Sequence, residues 1–160
     1  MKNKYKEIFK AGLLVGTMDI LAAFILVYIR TGKLIIAGIL KFIASGLFGK
    51  QALSGGRRMI LAGLILHYVV AFIFTIFFFQ VFPKIKFLSA NRIITGIFYG
   101  IFIWLIMNLI VVPLSGVASR PFNMINAVIN ILILIVAIGI PLSFMASAFY
   151  KKQINNSSQR

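Results

Sequence analysis

Apolar residues fall into four blocks, at 11–29, 59–81, 93–112 and 127–149, with basic and turn-forming residues gathered between them. A helix rises about 1.5 Å per residue, so roughly 20 apolar residues match a hydrocarbon core of about 30 Å. The four blocks therefore predict four transmembrane helices. A fifth apolar run, 34–48, has only 15 residues and carries Lys41 near its middle. It is short for a span. It predicts an interfacial helix or a shallow re-entrant one, with a fifth true span as the remaining alternative. The expected fold is an all-α integral membrane protein, 1–160 forming one membrane domain of four transmembrane helices plus a short interfacial or re-entrant helix. The first block follows the basic run Met1-Lys-Asn-Lys-Tyr-Lys-Glu7, as a signal peptide would. It is too long for a cleaved hydrophobic region, and Tyr28-Ile-Arg-Thr-Gly32 lacks a small-x-small site, so it reads as a retained first helix.

Composition supports lipid as the solvent. The chain is 61% hydrophobic, with 16 Phe and two acidic residues, more apolar surface than a soluble domain of this length could bury. Lys and Arg number 17, for a net charge of +15. Such a balance can signal nucleic acid, but here the charges sit at helix ends and links and form no coherent basic helix. They read as anchors at anionic lipid headgroups, and no nucleic-acid partner is expected. Four spans put both tails on one side. That side then carries ten basic residues against seven on the other, which favours cytoplasmic termini.

Several chemistries drop out. Cysteine is absent, which excludes disulfides, thiolate catalysis and sulfur-ligated metal. One histidine and two acids make a multi-ligand metal site improbable, and no cofactor is expected. No glycine loop precedes a Lys-Ser or Lys-Thr pair, and no serine stands in a nucleophile-elbow context. Ser54-Gly-Gly-Arg57-Arg58 could hold an anion through backbone amides and guanidinium groups, or be a solvated turn that anchors the second span.

Residues four apart share a helix face, and on three spans that spacing collects small and polar residues. Gly12, Gly16, Asp19 and Ala23 form such a stripe on the first. Gly63, His67, Ala71 and Thr75 form one on the second. Gly96, Gly100, Trp104 and Asn108 form one on the third, with Thr95 and Tyr99 beside it. Glycines let helices approach closely, and polar side chains need partners away from lipid. The fourth span offers Asn126 and Asn130 at its start and Ser143 and Ser147 near its end. Pro141 should kink it and free a carbonyl near Ala137.

Asp19 and His67 are the candidate intramembrane site. Each lies eight residues into its span, on helices running in opposite directions, so their depths agree within about 6 Å. A carboxylate at mid-membrane is expensive and is usually paired, neutral or functional. The pair could be a polar clasp between the two helices, or a proton relay or solute contact. Asn108 could line the same cavity.

The chain resembles a widespread family of uncharacterised small four-span bacterial inner-membrane proteins. The resemblance rests on Gly12-Leu-Leu-Val-Gly-Thr-Met-Asp19, Leu40-Lys-Phe-Ile-Ala-Ser-Gly-Leu-Phe-Gly49, Gly55-Gly56, Gly63-Leu-Ile-Leu-His67-Tyr68, Tyr99-Gly100, Met107-Asn-Leu-Ile-Val-Val-Pro-Leu-Ser115, Arg120-Pro-Phe122 and Gly139-Ile-Pro-Leu142. It implies a four-span inner-membrane fold and no catalytic role. Family members often carry a second histidine in the last helix, which this chain lacks, so a two-histidine metal or haem site is not implied. The resemblance also singles out Ile43-Ala-Ser-Gly46 and Val112-Pro-Leu-Ser115. With Arg120-Pro-Phe122, the latter would form a cap near the first connection.

Two function classes stay open. One is a small proton-responsive transporter, with Asp19, His67 and Asn108 along the route and 34–49 as a lid. Four helices enclose only a narrow route, so a sizeable solute would need a second subunit in a homo-oligomer. The other is a non-enzymatic assembly or stress-response subunit packed against another membrane protein. An intramembrane enzyme is a third and weaker reading.

Overall fold

The computed structural model describes residues 4–85, 88, 91–116 and 123–157. All regular structure among them is helical: α1 (Lys4–Thr31), α2 (Ile36–Phe48), the single turn α3 (Gln51–Ser54), α4 (Arg57–Val81, continued by a tighter turn at Phe82–Lys84), α5 and α6. Helix α5 runs through Arg92–Ile106, Met107–Val111 and Val112–Leu114, and α6 through Met124–Leu134, Ile135–Gly139 and Ile140–Ser157. Helices α1, α4, α5 and α6 are long and apolar enough to cross a membrane, and α2 is a shorter apolar helix. The chain is an all-α multi-pass membrane protein. The even number of spans leaves both termini at one end of the bundle, here called the terminal end.

Each helix outruns its apolar block. Helix α1 begins at Lys4, through a turn whose Lys10 reaches Glu7 at 3.9 Å, the one ion pair among the described residues. Helices α5 and α6 start where an asparagine caps them. The Asn91 side chain accepts from the amides of Ile93 and Ile94 at 3.0 and 3.2 Å, and Asn123 from that of Asn126 at 2.9 Å. These caps satisfy amides that a helix start leaves free. Helix α1 stops at Gly32, whose φ of 66° lies in the left-handed region that glycine alone enters without penalty.

Two prolines leave the same mark. Pro113 in α5 and Pro141 in α6 are each preceded by one wider π turn, Met107–Val111 and Ile135–Gly139. A proline inside a helix lacks the amide that would close the preceding turn. The π turn re-registers the backbone and lets the helix continue, with the Ile140 amide bonding to the Ile135 carbonyl.

Glycines set the helix contacts. A Cβ on Gly139 would meet the Gly96 carbonyl, and one on Gly100 would lie 2.7 Å from the Ile135 backbone, so α5 and α6 cross almost backbone to backbone. Helix α1 meets α4 through Gly12, against the Phe72 ring, and Gly16, against Tyr68 and Ala71. Gly63 of α4 receives the backbone of Leu40, seating α2 along α4. The π turn of α6 also packs on α1. In lipid, where burial from water drives little helix association, such close contact is the main source of packing energy.

The main hydrophobic core lies in the half of the bundle nearer the termini. It holds Ile8, Ala11 and Val15 of α1, Phe74, Phe78 and Phe79 of α4, Tyr99 and Ile103 of α5, and Ala137, Ile138, Leu142, Ala146 and Phe149 of α6. Aromatic rings knit α4 to α5, with Phe78 and Tyr99 centroids 4.4 Å apart and Phe77 stacked on Phe102 at 5.6 Å. Two tyrosines fasten themselves to α4 carbonyls: Tyr99 Oη donates to Phe74 at 2.6 Å and Tyr150 Oη to Phe79 at 2.5 Å. In the far half, inward positions such as Ala22, Ala23, Leu26, Leu64 and Ile106 are only half-buried. There α2 bridges α4 and the end of α5, where the Gly116 amide donates to the Gly46 carbonyl at 3.0 Å. That bond ties segment 43–46 to the residue that follows 112–115, the two segments that stand out in the sequence. Arg120-Pro-Phe122 lies outside the described residues.

Candidate intramembrane site

Glycine 16 builds the site. It sits on the face of α1 that meets α4, and with no side chain it exposes its carbonyl to the neighbouring helix. His67 reaches across and its Nε2 lies 2.8 Å from that oxygen. A carbonyl only accepts, so Nε2 carries the proton in this bond and Nδ1 is left for another partner. One residue further along both helices, Thr17 Oγ1 and Tyr68 Oη are 2.8 Å apart. Two adjacent polar links thus tie α1 to α4. His67 also lies edge-on to the Tyr68 ring, with centroids 5.5 Å apart.

Asp19 lies one turn beyond Gly16 on α1. Its side chain is half-buried and within electrostatic reach of His67. Its carboxyl makes no hydrogen bond or ion pair among the described residues. The hydrogen bond that matched depths suggest between Asp19 and His67 is therefore replaced by one from His67 to the Gly16 backbone. The residues nonetheless sit together, at the boundary where the tight half gives way to the looser one. On α1, Val15, Gly16 and Ile20 are buried, while Ala22 and Ala23 are already half-exposed.

Asn108 is elsewhere. It is exposed on the π turn of α5, and its Nδ2 donates to the Trp104 carbonyl of its own helix at 2.9 Å. The structure does not bring it to Asp19 and His67. Steps of four advance about 40° each around a helix of 3.6 residues per turn, so three steps from Gly96 carry Asn108 about 120° away from the Gly96 face. Arg57 and Arg58 are exposed in the first turn of α4, at the far end. Two cations at a helix start oppose its dipole, which suits a position facing anionic headgroups.

Sequence reasoning did not find the Gly16 carbonyl or the Thr17–Tyr68 link. The signal was present: Gly16-Thr17 and His67-Tyr68 put two adjacent polar chances on each helix at one depth. On α6, the buried Ser143 and Ser147 hydroxyls have no hydrogen-bond partner among the described residues. Among the described residues no group of three or more His, Asp or Glu could hold a metal ion. No protein family, curated protein or solved structure matches this chain.

Proposed function

We propose that this chain is a small bacterial inner-membrane protein that moves a small solute in response to protons, with Asp19 as the proton-binding group. The observation that carries the reading is the pairing of a free carboxyl with a committed histidine. His67 is held by the Gly16 carbonyl at 2.8 Å, while Asp19 beside it has no hydrogen-bond partner among the described residues. A structural clasp uses up its polar groups, as Thr17 and Tyr68 do. Asp19 stays available to gain or lose a proton, with His67 beside it. On this reading the solute approaches the pair from the far half, where Ala22 and Ala23 of α1 are half-exposed. Basic residues favour cytoplasmic termini, ten against seven, so the far half would face outward. The resemblance to four-span bacterial inner-membrane proteins supports the same location.

The test is flux in proteoliposomes with and without a pH gradient, comparing native protein with Asp19→Asn. The amide keeps shape and some hydrogen bonding but cannot titrate. The expected result is solute movement that follows the gradient in the native protein and loses that dependence in Asp19→Asn. Unchanged pH-dependent flux in a folded Asp19→Asn protein eliminates the relay.

One observation favours a second reading, that of an assembly subunit. Asn108 is exposed within an otherwise apolar stretch of α5, with its amide nitrogen bonded to the Trp104 carbonyl. An amide there is suited to a helix of a partner protein or of a second copy. Cross-linking through Asn108→Cys, with no flux for any ion or solute tried, would put this reading ahead.

A further inference from the structure

We infer that two copies of this chain, inserted in the same direction, pair through the outer face of α5, with Asn108 bonded to Asn108 of the other copy across a two-fold axis along the membrane normal.

That face carries a regularly spaced row. Ile94, Phe98, Ile101, Leu105 and Asn108 follow one another in steps of four, three, four and three. At 3.6 residues per turn they stay within about 40° of one line along α5. The line runs opposite Gly96, Gly100 and Ile103, which are buried in the bundle. Ile94, Phe98, Leu105 and Asn108 are exposed and Ile101 is half-buried, so the described residues leave the row open. A repeat of 3.5 residues is the spacing by which two helices pack side by side at a shallow left-handed crossing. One asparagine in such a row fixes register and partner number.

Asn108 identifies the occupant. Helix α5 with its continuations has 23 residues, about 34 Å, and Asn108 lies about 9 Å from its far end at Leu114. With a hydrocarbon core of about 30 Å, its amide lies in lipid, below the headgroups. Much of its hydrogen-bonding capacity is unused there. Nδ2 spends one hydrogen on the Trp104 carbonyl and keeps the other, and Oδ1 makes no bond among the described residues. The main-chain carbonyl is also left over. The Val112 amide, which would close an α turn on it, bonds to Met107, and Pro113 has no amide to offer. Lipid supplies nothing in their place.

A spare donor and spare acceptors on one residue are complementary to themselves. A two-fold axis along the membrane normal keeps every residue at its own depth, so Asn108 meets its counterpart and each amide donates to an oxygen of the other. A partner offering a lone acid or base would satisfy half of the set. Every copy carries the same distribution of basic residues and so inserts the same way, as this axis requires.

The inference rests on the exposed Asn108 of the assembly reading and names its occupant; it holds whether or not the protein moves a solute. Purified protein in liposomes contains no other chain, so a contact found there is between copies. The chain has no cysteine, so single cysteines report cleanly. Leu105→Cys lies in the row. Ile65→Cys lies on α4 at a similar depth, about 12 Å from Arg57 against about 14 Å from Leu114. The native residues are 40% and 65% exposed, so simple exposure favours Ile65. Under mild oxidation Leu105→Cys is expected to form linked dimers several-fold faster than Ile65→Cys. Adding Asn108→Leu should weaken dimerisation by about threefold to thirtyfold, the range that polar contacts between membrane helices span. Asn108→Gln, which keeps an amide, should retain most of it. Both changes fall on an exposed position and leave the core intact. Equal linking of Leu105→Cys and Ile65→Cys, or no loss with Asn108→Leu, overturns the inference. A photoactivatable maleimide on Leu105→Cys in whole membranes separates the two ideas. A product other than the dimer there, with no dimer in liposomes, overturns self-pairing and leaves the assembly reading standing. No product in either setting overturns both.

Discussion

The two halves of this bundle use the same four helices to different ends. Towards the termini, glycine crossings and interlocked aromatic rings bring α5 onto α6 and α4 onto α5, and interior positions are sealed. Towards the far end the packing is carried by α2 seated on α4, and residues of α1 such as Ala22, Ala23 and Leu26 stay half-exposed. The difference follows from where the glycines fall. Gly12 and Gly16, and Gly96, Gly100 and Gly139, all lie where the helices close up, whereas Gly63 in the far half is spent on α2. Close packing can therefore be built at one end without fixing the other, and the polar pair sits at the seam.

The sharpest way to break this comparison is to add bulk at the α5–α6 crossing. Gly139→Val places atoms on the Gly96 carbonyl and should destabilise the protein by about 3 kcal/mol, at the upper end of overpacking costs. Unfolding in detergent measures it, and a change below about 1 kcal/mol would mean the crossing is looser than described. Cavity formation ranks next. Phe78→Ala should cost roughly 2 kcal/mol, less than in a soluble protein because lipid removes most of the transfer contribution and leaves the lost contacts. Leu26→Ala in the far half should cost less than half as much, and equal losses at the two sites would erase the distinction.

Tyr99→Phe tests the tie between α4 and α5. It removes the bond to the Phe74 carbonyl but keeps the ring, and should cost about 1 kcal/mol by the same measurement. The smallest effect has the opposite sign. The Ser143 hydroxyl is buried without a partner among the described residues, so Ser143→Ala should leave stability unchanged or raise it by up to about 1 kcal/mol. A clear loss instead would show that this hydroxyl is bonded in the membrane.

The spans were legible because length and apolar content alone decide what can cross a bilayer. Their ends were not, because capping by Asn91 and Asn123 and the charged first turns of α1 extend helices past the apolar blocks. The nearness of Asp19 and His67 could be read from depth, since antiparallel helices of equal length align their middles. The bond that His67 makes could not, because its acceptor is a backbone oxygen exposed by a glycine, and a list of polar side chains does not contain it. The exposure of Asn108 has a geometric reason: stripes of every fourth residue hold for a turn or two and then precess off the face. The sequence marks Pro141 as a disturbance of α6, but the matching turn ahead of Pro113 emerges only when the two helices are compared.

The link between α1 and α4 also has a history in time. Gly16 and His67 are 51 residues apart, with all of α2 and α3 between them. At a synthesis rate of about 5–20 residues per second, α1 waits roughly 3–10 s for its partner to be made. During that interval Asp19 is in an apolar helix with no His67 beside it, at an insertion penalty of about 3 kcal/mol for a centrally placed acid. The leucines, isoleucines and phenylalanine around it must carry α1 into the bilayer unaided. The apolar richness of the first helix thus serves biogenesis before it serves the fold, and the acid that sits beside His67 in the finished protein is also the residue that most burdens its assembly.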